Sequence, residues 1–185
     1  MKNKILILGS SGLIGHQVYN YFKDNSVSEL YNLSHQRKLQ KDTILLDARN
    51  ENSFIEKIFS IKPHYIINCI GVLISESSKD PENASFLNSY LPHRLAKLAD
   101  QIEAKLIHIS TDCVFSGDKK DPYIETDIKD GRDVYSKTKQ LGEVINDRHL
   151  TLRTSVVGPE LKSDGEELFH WFMNQQSEIS GFTRA

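Results

Sequence analysis

A tyrosine and a lysine four residues apart form the pair of side chains best suited to acid–base chemistry. Tyr135 and Lys139 are the first and last residues of the segment YSKTK, and residues four apart lie on one face of a helix. A phenol has a pKa of about 10, and a neighbouring cation favours the phenolate, which brings that pKa towards the range useful for proton transfer. The spacing is common, and it also suits an ordinary solvated helix face.

A hydroxyl group precedes this pair at the end of a predicted strand. Ser110, Thr111 and Asp112 follow an apolar segment, and a hydroxyl at a strand end can orient a carbonyl oxygen. The same three residues also make an ordinary helix or turn cap. The order of the motifs favours chemistry, because a glycine turn follows the first strand, the hydroxyl follows the fifth, and the Tyr135/Lys139 pair comes on the next helix.

The segment KILILGSSGLIG, residues 4–15, predicts a phosphate-binding turn. Its residues 5–8 form an apolar run that is typical of a strand buried on both faces. Gly9, Gly12 and Gly15 follow at three-residue spacing, and a helical pattern comes next, so a helix N-terminus can face a phosphate. The first glycine permits a tight turn, the second lets the backbone approach a pyrophosphate, and the third lets the helix pack closely. The alternative is an ordinary strand-to-helix turn.

Short apolar segments alternate with helical patterns along the rest of the chain. This alternation predicts an α/β fold with a Rossmann-like, doubly wound, mostly parallel sheet and helices on both faces. Ligands bind beyond the carboxyl ends of such strands, where the candidate residues fall. The polar segment 117–133 is long for a bare connection, which indicates a functional surface loop. Strands are predicted at 5–8, 28–33, 43–46, 65–70, 105–110 and 150–154, and helices at 13–23, 51–60, 80–102, 134–146 and 166–176.

The composition suits one globular domain. The 185 residues are 38% hydrophobic and 26% charged with a net charge of -2, which gives no case for attraction to nucleic acid or to a membrane surface. The apolar runs are too short to span a bilayer, and the first residues lack the apolar region of a signal peptide. Cys69 and Cys113 provide no disulfide framework, so we expect a cytoplasmic protein with buried thiols. The seven histidines show no ligand spacing, so no metal site is expected.

Several linked motifs resemble the extended short-chain dehydrogenase/reductase superfamily, whose fingerprint is G-x-x-G-x-x-G. Within it, the similarity is greatest to dTDP-4-dehydrorhamnose reductases and related nucleotide-sugar reductases. The motifs that carry the resemblance are STDCVFSG at 110–117, PYIETD at 122–127, YSKTKQLGE at 135–143, LRTS at 152–155, and NCIG at 68–71 followed by Asp80, Pro81, Ala84 and Asn88.

The resemblance implies NADPH-dependent reduction of the 4-keto group of a nucleotide-diphosphate 6-deoxysugar, a step in making polysaccharide precursors. Thr111, Tyr135 and Lys139 would be the catalytic residues. Tyr135 would protonate the C4 oxygen as hydride arrives from the nicotinamide, and Thr111 would polarise that carbonyl. Lys139 would lower the pKa of the tyrosine and hold the nicotinamide ribose.

The expected cofactor is NADP(H), with NAD(H) as the alternative. Residues 34–38 contain the cations Arg37 and Lys38 and no acid, whereas an NAD site usually places an acid there for the ribose 2′-hydroxyl. A solvated basic turn would have the same composition. Asp47 and Ala48 resemble the family's adenine-contacting pair, although a helix cap is equally compatible. The expected cofactor-binding residues are Gly9, Ser10, Ser11, Gly12, Leu13, Ile14, Arg37, Asp47, Ala48, Cys69, Ile70, Gly71, Asn88, Ser110, Tyr135 and Lys139.

Two departures from the family pattern affect the substrate. Ile70, Val72, Leu73 and Cys113 replace small residues or tyrosines of the reductases, which predicts a different sugar pocket. Family members also continue into a second domain that grips the nucleotide-sugar, so residues 1–185 are expected to form the NAD(P)-binding domain, with the substrate domain missing or truncated. A non-catalytic dinucleotide-binding or regulatory protein of the same fold is the alternative function.

The apolar residues of two helices give further expectations. Ile14, Val18, Tyr21 and Phe22 are predicted to form the inner face of the first helix. The last helix carries an apolar surface that either packs against the sheet or remains exposed and supports self-association as a homodimer. That surface consists of Leu168, Phe169, Trp171, Phe172 and Met173.

Overall fold

The protein forms one six-stranded sheet in which every strand pair is parallel. The computed structural model describes residues 2–162, 165 and 168–181. The strand order is β3-β2-β1-β4-β5-β6, which places the first strand near the middle of the sheet. The strands are β1 (Lys4–Leu8), β2 (Glu29–Ser34), β3 (Ile44–Leu45), β4 (Tyr65–Asn68), β5 (Lys105–Thr111) and β6 (Leu150–Thr154).

Helices connect the strands. A π-helix, Ser85–Tyr90, joins α4 to α5 without a break, and a 3₁₀ turn, Asp112–Val114, follows β5. The α-helices are α1 (Leu13–Asn25), α2 (Glu51–Ile61), α3 (Ile74–Lys79), α4 (Pro81–Ala84), α5 (Leu91–Gln101), α6 (Val134–Leu141) and α7 (Leu168–Met173).

Apolar clusters cover both faces of the sheet, which confirms the predicted doubly wound α/β class. On one face, Leu6 and Ile66 pack in a cluster with Phe54 of α2 and Leu95 of α5. On the other face, the alternate strand residues Ile5, Ile7 and Ile67 pack with Tyr19 of α1. Successive side chains of a strand point to opposite faces, so a continuous apolar run in β1 supplies both clusters.

The inner face of α1 differs from the expected one. Tyr21 is 64% exposed, whereas Gly15, His16 and Tyr19 are buried. Tyr21 lies roughly 200° around the helix from Tyr19, so both cannot face the sheet. The helix orientation follows from Gly15, where a Cβ atom would lie 2.1 Å from the carbonyl oxygen of Gly9.

The predicted helix 134–146 is wrong at its C-terminal end, because α6 stops at Leu141. A Cβ atom at Gly142 would lie 1.8 Å from the main-chain oxygen of Asn88, so the end of α6 packs directly on the π-helix. The chain then turns towards β6, and the Val144 amide donates to the Thr151 hydroxyl (3.1 Å). Contacts from elsewhere in the chain, rather than helix propensity, end α6.

Two other helices also differ from prediction. The single helix expected at 80–102 consists of α4, the π-helix and α5, and the short helix α3 before it was not predicted. The last helix begins at Leu168 in the described structure, and residues 166 and 167 of the predicted helix lie outside the described residues. The large apolar side chains of α7 are 38% to 65% exposed, so packing against the sheet is the wrong one of the two alternatives for this helix.

Candidate functional site

The glycine turn between β1 and α1 is held close to two neighbouring strands. Gly9 has φ of +75°, and a Cβ atom there would lie 3.0 Å from the backbone of Cys69. The amides of Gly9 and Ser10 donate to the Leu33 carbonyl at 2.9 and 3.0 Å. Gly12 is the N-cap of α1, and no side chain among the described residues caps that helix end. Backbone amides at such an uncapped terminus are suited to bind a phosphate.

Two cavities adjoin at this turn. The first, of about 360 Å³, is lined by the segments that follow β1, β2, β3 and β4, including Ser34 to Arg37 and Leu46 to Arg49. The second, of about 340 Å³, extends from the start of α1 to Tyr135 and Lys139 of α6. Both cavities are bounded by Gly12 and residues 69–72. A dinucleotide has two nucleoside halves joined by a pyrophosphate, and the two cavities on either side of the helix N-terminus fit that shape.

The first cavity contains a carboxylate that is paired with an arginine. Asp47 accepts hydrogen bonds from the Arg49 side chain at 2.6 to 3.0 Å and lies 3.2 Å from His35. The hydrogen bonds from Arg49 hold the pKa of Asp47 below its usual value. The Arg37 guanidinium lines the same cavity and donates to the Leu161 carbonyl. Arg37 was predicted at this end of the cleft, whereas Arg49 was not.

The second cavity brings Tyr135, Lys139 and Ser110 together, as the four-residue spacing and the strand end predicted. The Lys139 ammonium donates to the main-chain oxygen of Ile109 at 2.6 Å and is only 5% exposed. Burial lowers the pKa of Lys139 to about 8. Burial also raises the pKa of the nearby Cys69 thiol to about 12, so this thiol is neutral at physiological pH. The site therefore combines a phenol with a cation that loses its proton unusually easily.

Thr111 lies at the end of β5 but borders neither of the two cavities in the described part of the chain. Its hydroxyl accepts from the Cys113 amide (3.1 Å) and contacts the Asp112 carboxylate (3.3 Å), so it caps the 3₁₀ turn. This is the capping role that the sequence left open. Ser110, the preceding residue, lines the second cavity and donates to Glu143 at 2.9 Å. A catalytic role for Thr111 stays a prediction.

Two residues expected to bind the cofactor lie behind the cavity wall instead. The fully buried Asn88 side chain bonds both the amide and the carbonyl of Val72 at 3.0 Å and the hydroxyl of Thr138 at 3.2 Å. The fully buried Ser10 hydroxyl donates to the Asn32 side chain at 3.1 Å. Both residues were predicted to bind the cofactor; neither is among the described residues that line the two cavities, and a cofactor-binding role for them stays a prediction. Their hydrogen-bonding atoms join neighbouring segments, so they position the walls.

A buried carboxylate, Glu143, joins three parts of the chain and was missed as a site residue. It accepts from Ser110 of β5, from Lys129 of the 117–133 segment (3.0 Å), and from two nitrogens of Arg153 in β6 (2.7 and 2.8 Å). Burial opposes ionisation, but the hydrogen bonds from Arg153, Lys129 and Ser110 outweigh it and lower the pKa of Glu143 to about 2. The only feature of the sequence that could have indicated Glu143 is an acid at the end of the YSKTKQLGE motif, followed by an arginine in the next strand.

The predicted surface loop 117–133 is folded onto the same network. The Phe115 and Tyr123 rings stack with centroids 4.4 Å apart, and the Arg153 guanidinium lies 4.9 Å from the Phe115 ring. Arg153 also donates to the main-chain oxygen of Glu125 at 3.1 Å. The Glu143 network thus fixes both the loop and the strand that carries Ser110.

A sequence profile decides the family. The profile described as the RmlD substrate binding domain matches residues 2–179. The chain belongs to the RmlD substrate binding domain family. This agrees with the predicted resemblance to dTDP-4-dehydrorhamnose reductases within the extended short-chain dehydrogenase/reductase superfamily.

Individual relatives of this RmlD-family chain differ in name. A methionine adenosyltransferase 2 subunit beta from Xenopus tropicalis is 39% identical over 144 residues, which are 76% of this chain and 41% of that protein. A dTDP-4-dehydrorhamnose reductase from Escherichia coli (strain K12) is 30% identical over 158 residues, which are 83% of this chain and 51% of that protein. The RmlD-family chain therefore spans about half the length of the curated relatives it matches.

One solved structure of similar fold is a complex with NADP. The crystal structure of a dTDP-4-dehydrorhamnose reductase from Bacillus anthracis in complex with NADP superposes with a TM-score of 0.71. It is 25% identical and the match covers 83% of this chain and 53% of that one. The fold of this RmlD-family chain is thus found in an NADP complex.

The structure gathers most of the predicted site residues of this RmlD-family chain along one cleft. Their roles in binding and catalysis stay predictions. In the part of the chain that the structure describes, no helix is long and apolar enough to cross a membrane. The predicted residues that line the two cavities are Gly9, Ser11, Gly12, Leu13, Ile14, Arg37, Asp47, Ala48, Cys69, Ile70, Gly71, Ser110, Tyr135 and Lys139.

Proposed function

We propose that this chain is the NADP(H)-binding part of a reductase that acts on the 4-keto group of a nucleotide-diphosphate 6-deoxysugar. The observation that carries the proposal is the position of Tyr135 and Lys139, which line a cavity continuous with the glycine turn. A phosphate-binding turn at one end and a proton donor at the other match what a dinucleotide-dependent carbonyl reduction requires.

The proposed role of each residue follows from its position in the cleft. Backbone amides of the glycine turn and the start of α1 would hold the pyrophosphate, since α1 has no acidic residue in its first turn. The bound nicotinamide supplies the hydride. Tyr135 would donate a proton to the C4 oxygen of the sugar, and Lys139 would favour the phenolate that remains. Thr111 would polarise the carbonyl if its hydroxyl donated its hydrogen bond to the substrate oxygen instead of to the Asp112 carboxylate.

Cations at the adenosine end support NADP(H) over NAD(H). Arg37 and Arg49 line only the first cavity, and its carboxylate Asp47 is paired with Arg49. Two cations around one paired acid favour a ligand that carries an extra phosphate, as the 2′-phosphate of NADPH does. The NADP complex of the Bacillus anthracis reductase supports the same choice.

The lengths of the relatives support the proposed domain assignment. Residues 1–185 would form the NAD(P)-binding domain, and sugar recognition would need a further part, such as the half of the relatives that this chain does not match. The exposed apolar face of α7 supports a contact with that part or with a second copy of the chain. Sedimentation velocity across a concentration series would detect the homodimer as a second, faster species.

The test of the proposed function measures binding and turnover separately. Calorimetry of this chain with NADPH should show saturable binding. Turnover should then be followed as loss of NADPH absorbance with dTDP-4-keto-6-deoxy-L-mannose, both for this chain and for this chain extended by a sugar-binding domain. We expect poor turnover by the chain alone, because the second reactant is not oriented. We expect Tyr135→Phe to abolish turnover by the extended protein while NADPH still binds. Absence of turnover by the extended protein would refute the reductase.

A non-catalytic dinucleotide-binding subunit is the second candidate. The 39% identical relative is named as a subunit of methionine adenosyltransferase, and the Thr111 hydroxyl is engaged in a cap rather than in the cavity. NADPH binding without any consumption in the extended protein would favour this candidate. Consumption that requires Tyr135 would exclude it.

A further inference from the structure

One charged side chain borders both halves of the cleft. Among the described residues, Lys162 is the only charged residue shared by the two cavities. The other shared positions, Gly12 and residues 69–72, form the turn and the β4 segment at the middle of the cleft. Lys162 therefore borders the same part of the cleft as Gly12, the N-cap of α1, where the two nucleoside halves of a dinucleotide would be joined.

The segment that carries Lys162 crosses the cleft from one end to the other. It leaves β6 after Thr154, and a Cβ atom at Gly158 would lie 4.0 Å from the Leu13 side chain at the start of α1. Further along, the Leu161 carbonyl accepts a hydrogen bond from Arg37, which follows β2. Residues 158–162 thus pass close to Leu13 and are bonded to Arg37, next to Lys162.

We propose that Lys162 is a cofactor-binding residue that contacts the pyrophosphate of the dinucleotide. The inference rests on the proposed NAD(P)-binding function and adds to it a residue that the motifs did not indicate. The uncapped start of α1 supplies amides on one side of the pyrophosphate, and Lys162 supplies a full positive charge on the other. Glu160 of the same segment lines only the second cavity, so its carboxylate does not lie at the shared boundary.

The charge pattern separates Lys162 from Arg37. Arg37 lines the first cavity alone, together with Ser34, Asp47 and Arg49, which is the position of a 2′-phosphate. Lys162 reaches both cavities, which is the position of the pyrophosphate. A pyrophosphate is present in NADPH and NADH alike, whereas a 2′-phosphate is present only in NADPH and in adenosine 2′-monophosphate.

The experiment compares three ligands with five proteins. NADPH, NADH and adenosine 2′-monophosphate are titrated calorimetrically into the chain and into Lys162→Gln, Lys162→Arg, Arg37→Glu and Lys57→Gln, where Lys57 is an exposed control on α2. Lys162→Gln should weaken NADPH and NADH equally, by about tenfold or more, and leave adenosine 2′-monophosphate unchanged. Arg37→Glu should weaken NADPH and adenosine 2′-monophosphate far more than NADH. Lys57→Gln should change none of the three, and Lys162→Arg should retain most of the affinity.

The outcomes separate the inference from the function on which it rests. If the unaltered chain binds neither NADPH nor NADH, the proposed function is overturned, and the role of Lys162 with it. If the chain binds both and Lys162→Gln binds them equally well, only the role of Lys162 is overturned. A loss confined to NADPH and adenosine 2′-monophosphate would also overturn it, because Lys162 would then contact the 2′-phosphate. Circular dichroism of each variant shows whether it is folded.

Discussion

The Lys139 ammonium and the main-chain oxygen of Ile109 are joined by a 2.6 Å hydrogen bond. This bond attaches the cation of helix α6 to strand β5, on the same cavity wall as Tyr135. Because Lys139 is almost completely buried, its pKa falls to about 8 from an ordinary 10.5. The same placement that would tune a catalytic tyrosine therefore carries a measurable cost in stability.

Because Lys139 is buried, the free energy of unfolding changes with pH in the alkaline range. Between pH 8 and 10.5 the folded chain has released a proton that the unfolded chain still binds, so the free energy of unfolding rises with pH across this window. The rise is absent in Lys139→Met. We expect the difference in unfolding free energy between Lys139→Met and the unaltered chain to shift by roughly 3 kcal/mol across the window. Urea titrations at several pH values measure it, and parallel pH profiles of the two proteins would contradict the prediction.

We expect the Glu143 carboxylate to contribute strongly to the free energy of unfolding at neutral pH. This carboxylate is 2% exposed and bonded to Arg153 and Lys129, so Glu143→Gln leaves two partly buried cations without their counter-charge. We expect a loss of about 3 kcal/mol or more in the free energy of unfolding at pH 7. The matched control is Glu56→Gln on the exposed side of α2, which should change stability little.

The same residue predicts a direction for acid sensitivity. The pKa of Glu143 is lowered in the folded chain to about 2 from an ordinary 4.5, so the unfolded chain binds the additional proton between these values. Its stabilising contribution is complete above pH 4.5 and is lost as the pH falls towards 2. The difference in urea midpoint between the unaltered chain and Glu143→Gln should therefore shrink over this range. A difference that stays constant would show that the carboxylate charge is not what Glu143 contributes.

Substitution of Gly15 should mainly lower stability, whereas substitution of Gly12 should mainly weaken ligand binding. A Cβ atom at Gly15 would lie 2.1 Å from the Gly9 oxygen, so Gly15→Ala must displace the helix or the turn. We expect it to cost about 2 kcal/mol or more in unfolding free energy. A Cβ atom at Gly12 would lie 3.3 Å from the same oxygen and project at an exposed position. Gly12→Ala should therefore change stability much less and weaken NADPH binding, as measured by calorimetry. Equal effects of the two substitutions on stability would contradict this distinction.

The order of strands and helices could be predicted from the sequence because each element carries its own local pattern. The apolar run before Gly9 and the helical spacing after it predict β1 and α1, and the Tyr135/Lys139 spacing predicts two side chains on one face of α6. These properties depend on residues within about one or two helical turns of each other. Because parallel strands end at the same edge of the sheet, these local patterns also predict where the two cavities lie.

Other features required the tertiary structure because they join residues far apart in the chain. The end of α6 is set by contact between Gly142 and the Asn88 backbone, and the side chain of Asn88 is turned to Val72 and Thr138 instead of the cleft. The position of Lys162 depends on the return of the chain across α1 after β6. Local sequence patterns carry no information on such long-range contacts.

The sequence by itself determined the fold class, the glycine turn and the acid–base pair, since periodicity and spacing are local properties of the chain. Only the tertiary structure decided which polar side chains reach the cleft and which hold its walls. Ser10 and Asn88 are polar residues within recognisable motifs, yet each has its hydrogen-bonding atoms engaged by neighbouring segments. A buried polar group must be bonded wherever the fold places it, and the partner that satisfies it is known only once the distant segments have come together.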